Sequence, residues 1–172
     1  KRRLIVVNPL YAPIQIYVTF PQLGKEYTKK KTVAARSRYR IFEGKNEKSP
    51  AYKFRWVLGH PRAKVKLYNY AVPFISPEEH RITQSFHGKF SHKSVASQYA
   101  VDIALPVGTY LVAAREGVVI AVKDDYAYGG KDDFFLDKAN YIKILHKDGS
   151  YATYAHILLG SAMVKPGDRV AV

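Results

Sequence analysis

Cysteine is absent from this 172-residue chain, which excludes disulfide staples, thiolate metal ligands and cysteine nucleophiles. No apolar stretch approaches the roughly 20 residues that cross a bilayer as a helix, so no membrane span is expected. A stripe repeating every 3.6 residues is also missing, and little helix is expected. The opening Lys1-Arg2-Arg3 runs straight into a short strand-like segment, and no signal peptide is read there. Acidic residues are scarce: 14 Asp and Glu stand against 28 Lys and Arg, a formal net charge of +14. That balance favours polyanionic partners: nucleic acid, an anionic membrane surface or an anionic cell-wall polymer. The basic residues concentrate early, at Lys29-Lys30-Lys31 and at Arg36, Arg38 and Arg40, where a solvated basic face is the plainer reading.

Apolar residues make up 47% of the chain, enough for a packed core. The first part reads as short strands. Leu4–Val7 is an apolar run closed by Asn8-Pro9, and Ile14–Phe20 alternates with Ile14, Ile16 and Val18 on one face. Thr32–Ala35, Ser37–Phe42 and Tyr52–Leu58 are further strand candidates, with Gly24–Lys31 turn-like and Glu43–Pro50 a loop. Several short strands divided by turn signals predict a β-sandwich-like module over residues 1–75. The Pro- and Glu-rich Pro73–Arg81 is the expected boundary with a second β-rich part, residues 76–172. There, Val118–Val122 and Tyr141–Leu145 read as strands, Tyr126–Asn140 as a long polar loop, and Lys147–Ser150 as a hairpin turn.

One carboxylate stands out. Asp102 lies in the apolar, β-prone run Tyr99–Leu105, which breaks at Pro106–Thr109 and is expected to resume as a second strand. A carboxylate between Val101 and Ile103 is costly to bury unpaired. Its partner could be a metal ion, backbone donors, or an arginine such as Arg115. Five of the six histidines lie from His80 onward: His80, His87, His92, His146 and His156. Zinc chemistry uses a few His and carboxylate ligands with one position left for water. His92 and Asp102 are too far apart in sequence for one strand face, and meet only if Lys93–Gln98 forms a loop. His60 and His80 lack any motif and read as surface residues. Tyr154 shares a strand face with His156.

The wording around these residues is similar to that of the lysostaphin/LytM-type zinc metallopeptidases of peptidoglycan. Three blocks carry the resemblance: Tyr99–Val119 (YAVDIALPVGTYLVAAREGVV), Asn140–Ile157 (NYIKILHKDGSYATYAHI) and Val164–Val170 (VKPGDRV). It extends over roughly Ile82 to Val172. The resemblance implies a β-rich peptidase core of the duplicated-hybrid-motif type, with Asp102 as a zinc ligand and His156 as a catalytic histidine beside the metal. The common family pattern has a His four residues before the Asp, where this chain has Gln98. The segment Gln84–His92 looks like the variant with the His further back, which makes His92 the expected ligand and His87 the runner-up; otherwise His87 is a pocket-wall residue. His146 is expected to be structural or to support the ligands. The family's third ligand comes from a His-x-His pair that does not occur in these residues, so truncation of a longer protein is expected.

The function implied is a zinc-dependent endopeptidase acting on peptidoglycan cross-links, in the periplasm or outside the cell. Tyr154 and His87 would contribute to substrate binding, the N-terminal module would regulate or position, and no nucleic-acid partner is expected. The alternative is a catalytically inactive homologue that binds the wall or activates another hydrolase, consistent with Gln98 and the missing pair.

Overall fold

The computed structural model describes residues 2–22, 25–44, 51–60, 62–95, 97–129 and 138–172, and every structural statement below concerns these. They form eleven strands and no helix. The chain divides into two compact units: residues 1–69 with 115–171, and residues 70–114 with Val172. Pro73–Arg81 therefore falls inside the second unit rather than between units.

In the first unit, β1 (Arg2–Asn8) pairs antiparallel with β4 (Ser37–Gly44). A second sheet has the order β3 (Lys25–Val33), β2 (Ile14–Gln22), β5 (Lys53–Leu58), again antiparallel. Alternation sets which faces meet. Ile14, Ile16 and Val18 of β2 and Val33 of β3 are buried together with Ile41 of β4, and Leu4, Val6 and Tyr39 pack around them. The expected β-sandwich-like packing is thus present. Asn8, fully buried at the end of β1, closes it. Its amide donates to the carbonyls of Ala12 (2.9 Å) and Ala34 (2.7 Å), and its oxygen accepts from Leu10 N–H (3.1 Å).

Lys25–Lys31 is strand, not the turn expected from its polarity. Its residues are polar at both parities, and of the β3 strand Val33 enters the core; lysines and threonines suffice where a sheet face meets water. Of the expected loop Glu43–Pro50, Glu43 and Gly44 belong to β4 and the rest lies outside the described residues, as do residues 130–137 of the expected loop Tyr126–Asn140.

A four-stranded antiparallel sheet completes this unit, in the order β10 (Tyr151–Ala155), β9 (Tyr141–Leu145), β8 (Gly117–Lys123), β11 (Arg169–Val170). The register of β8 on β9 shifts between Val119 and Ala121. That bulge at Ile120 lets two successive residues, Val119 and Ile120, both be buried. The Lys147–Ser150 turn joins β9 to β10 as expected, with His146 N–H donating to Ser150 O (2.8 Å) and Gly149 at φ 87°. The Lys165–Asp168 turn leads into β11, with Lys165 N–H donating to Asp168 Oδ2 (2.9 Å) and Gly167 at φ 104°.

In the second unit, β6 (Ile82–Gln84) pairs antiparallel with β7 (Asp102–Ile103). The chain turns at Pro106–Thr109, where Gly108 has φ 93°. No strand follows at once: Leu111 makes only an isolated bridge to Phe74, and regular β structure returns at Gly117. The apolar residues of 110–113 satisfy their backbone through single bonds, such as Val112 N–H to Pro73 O (3.0 Å), instead of a ladder.

Candidate metal centre

The pairing of β6 with β7 sets Gln84 opposite Asp102. Between them the chain makes a wide loop whose second half is a series of tight turns. Ser97 and Gln98 N–H both donate to Ser94 O (3.1 and 2.8 Å), and Ser97 Oγ donates to Ser91 O (2.9 Å). These bonds of Ser94, Ser97 and Gln98 accompany the return of His92 to the strand pair. His92 is buried, at 3% exposure of its side chain, and its Nε2 lies 3.1 Å from Asp102 Oδ1. Asp102 itself is not buried: its side chain is 47% exposed. The expected desolvation of a strand carboxylate is therefore partial, because β7 is only two residues long and lies at the surface.

Gln84 organises the pair. Its amide nitrogen donates to Asp102 Oδ2 (3.0 Å) and to Ser91 Oγ (2.7 Å), while its oxygen accepts from Phe90 N–H (3.1 Å) and Ser91 N–H (3.4 Å). One side chain thus fixes the far oxygen of Asp102 and the loop that ends in His92. Nothing local to Gln84 signals this role beyond its place at the head of the QSFHGKFSH segment.

The protonation pattern of His92 follows from its partners. Nδ1 lies 2.8 Å from Ser85 O, which can only accept, so Nδ1 carries the proton. In the neutral ring the Nε2 lone pair then faces a carboxylate oxygen. Two acceptors at 3.1 Å call for a cation between them, a proton or a metal ion. The spacing suits zinc: two ligands at a tetrahedral angle with bonds of about 2.0–2.1 Å are about 3.3 Å apart. A backbone carbonyl holding the other ring nitrogen is the usual support for a ligating histidine. These two residues therefore fit the group. Among the described residues no third His, Cys, Asp or Glu joins them.

The runner-up, His87, is exposed and lies elsewhere. It has φ 57°, its N–H donates to Gln98 O (2.7 Å), and its ring meets the edge of Tyr99 at 5.3 Å. Phe86 also contacts Tyr99, at 5.7 Å. The loop that carries His92 thus presents an exposed aromatic group.

His156 and Tyr154 belong to the first unit. Tyr154 is half-buried on β10, and His156 follows that strand, exposed, in the left-handed region at φ 63°. Asn140 shapes this turn. Its backbone carbonyl accepts from His156 N–H (2.9 Å), and its buried amide donates to Ile157 O (3.2 Å) and Tyr126 O (3.0 Å).

Arg115, considered above as a partner of Asp102, instead pairs with Asp148 at 3.0 Å, both side chains being buried. Asp148 also accepts from Ser150 Oγ (2.6 Å), Ser150 N–H (3.0 Å) and Lys66 N–H (3.2 Å). These bonds, the Ser150 hydroxyl foremost, hold its carboxyl well below the usual carboxylate range despite burial. His146 is buried, with Nδ1 2.9 Å from Glu116 O, as expected of a structural residue. His80 differs from expectation: it is half-buried, 2.7 Å from Ser76 Oγ, with its ring edge-on to Phe74.

Residues 96–172, just under half of the chain, match the model of Peptidase family M23. The matched stretch contains most of the three blocks that resemble the lysostaphin/LytM-type peptidases. Asp102, Tyr154 and His156 fall within the matched residues, and His92 lies four residues before them. No curated protein and no solved structure shows significant similarity to the chain.

Proposed function

We propose that this protein is a zinc-dependent endopeptidase that hydrolyses peptide bonds in the cross-links of bacterial peptidoglycan, working in the cell envelope. The observation that carries the reading is the facing of His92 Nε2 and Asp102 Oδ1 at 3.1 Å, with His92 Nδ1 committed to Ser85 O. The family match supports the reaction class. His92 and Asp102 would hold the zinc, which supplies a Lewis acid and an acidified water for attack on a carbonyl.

The remaining chemistry falls to the chain. Gln84 keeps Asp102 Oδ2 engaged, so that Oδ1 is the oxygen presented beside His92. Ser85 O keeps the His92 proton on Nδ1 and leaves Nε2 free to donate electrons. His156 is assigned to accept a proton or to hydrogen-bond the developing oxyanion through its imidazole. Exposed His87, with Phe86 and Tyr99, and half-buried Tyr154 are assigned to substrate contact. Residues 1–75 are assigned a positioning or regulatory role, and residues 76–172 the peptidase core.

Incubation with purified, cross-linked sacculi and zinc tests this. Release of new amino termini is expected, abolished in Asp102→Ala and reduced by about 100-fold or more in His156→Ala. Two ligands rather than three among the described residues favour one second reading, a non-catalytic wall-binding or hydrolase-activating homologue. Sedimentation of the protein with sacculi, with no new amino termini at any zinc concentration, would establish that reading and refute the enzyme.

A further inference from the structure

The outer face of the β3-β2-β5 sheet carries an arrangement that the peptidase reading does not use. Strand alternation sends Gln15, Tyr17 and Thr19 of β2 away from the core. Tyr17 lies between Lys30 of β3 and Arg55 of β5 in one cross-strand row. Its ring is approached from both sides, by the Arg55 guanidinium at 4.4 Å from the centroid and by Lys30 Nζ at 5.7 Å. The tyrosine holds two cations in fixed positions on strands about 10 Å apart. In the next row Thr19 and Thr28 share a hydroxyl hydrogen bond (2.9 Å).

A shallow groove of about 580 Å³ runs over Tyr17, Thr19, Lys30 and Arg55, and a second of about 280 Å³ continues from Lys30 to His60 and Arg62. The two share Lys30, so they form one track. Among the described residues no carboxylate pairs with Lys30, Arg55 or Arg62, whereas nearby Lys53 is neutralised by Glu26 at 2.7 Å. Three cations without a carboxylate partner among the described residues, set among threonine hydroxyls along these grooves, are chemically matched to an extended polyanion.

We propose that this track binds a linear phosphodiester polymer without bases. Phosphate oxygens accept from Arg, Lys and Thr side chains, the donors found here, while the Tyr17 hydroxyl donates to Gln15 Oε1 (2.9 Å). Nucleic acid fits less well, because single strands bind by stacking bases on open aromatic faces, and cations flank Tyr17 on both sides. The proposal does not depend on the metal centre, which lies in the other unit.

The test is titration of the full chain with poly(glycerol phosphate), against poly-dT and poly-L-glutamate of equal charge, from 25 to 200 mM salt. About three phosphate contacts predict a log–log salt slope near −2 for poly(glycerol phosphate). Lys30→Ala/Arg55→Ala should weaken binding about tenfold at the lowest salt and bring the slope to about −0.7, while Lys147→Ala/Lys165→Ala, equal in charge change, should leave both unaltered. Matched circular dichroism and melting confirm folding; if the first double variant fails to fold, Arg62→Ala alone should reduce the slope by about 0.7. Equal weakening by both double variants, or binding of poly-dT or polyglutamate as tight as that of poly(glycerol phosphate), overturns the proposal.

Discussion

Replacing Asp148 by asparagine isolates what holds the β9–β10 hairpin, and with it the strand that leads to His156. Asp148 accepts four hydrogen bonds, from Ser150 twice, from Lys66 N–H and from Arg115, and both members of the ion pair are at most 5% exposed. Asparagine keeps the shape but removes the carboxylate charge that faces the buried Arg115 guanidinium at 3.0 Å. Breaking a buried pair in this way costs about 3–5 kcal/mol, a large share of the ~5–15 kcal/mol typical of a domain. The pH dependence has a definite sign. The native carboxyl is held below its unfolded value of about 3.9, so its contribution is fully present above that value and is lost as pH falls through the depressed native value. Urea unfolding at pH 7 should therefore show the full loss in Asp148→Asn, and the variant should lose less further stability between pH 5 and pH 2 than the parent does. An Arg115→Met/Asp148→Leu pair should be less destabilised than the sum of its single variants. A loss under about 1 kcal/mol, with an unaltered acid limb, would show that the Arg115–Asp148 pair does not hold the hairpin.

Two further outcomes are expected. Gln84→Ala removes the amide that links Asp102 Oδ2 to the 90–91 loop, and should lower zinc affinity about 10–100-fold while leaving the melting of the first unit unchanged; competition with a chromophoric chelator measures it. Asn140→Ala leaves the carbonyls of Tyr126 and Ile157 without their donor and should cost about 2–3 kcal/mol, read by denaturant unfolding, with the His156 amide exchanging faster in hydrogen-exchange measurements.

Strand alternation was readable wherever one face is buried. Ile14, Ile16 and Val18 declared their face because water lies on the other side. Lys25–Lys31 was not readable, since a solvated strand has polar residues at both parities and its pairing with β2 is decided by the neighbour. After Thr109 the reverse held: β-prone Tyr110–Val112 found only single bonds and one bridge, because no partner strand runs alongside. In the candidate site, the meeting of His92 and Asp102 was foreseeable only as a condition on the intervening loop. The serines that make its turns, Ser94 and Ser97, are ordinary turn residues and specify no ligand. Gln84 was invisible for the same reason: its role exists only once β6 pairs with β7. Arg115 and Asp148 are far apart in sequence and are joined by the fold, which no local pattern announces.

In the proposed metal centre His92 and Asp102 form one cation-binding pair. Titration of the full chain with Co²⁺, followed by NMR of the histidine imidazoles, tests it most directly, since paramagnetic broadening registers even weak binding. His92 should broaden first, His87 and His80 should persist to higher metal, and Asp102→Ala should abolish the preference. Simultaneous broadening of all three histidines, or persistence of the His92 preference in Asp102→Ala, would contradict it.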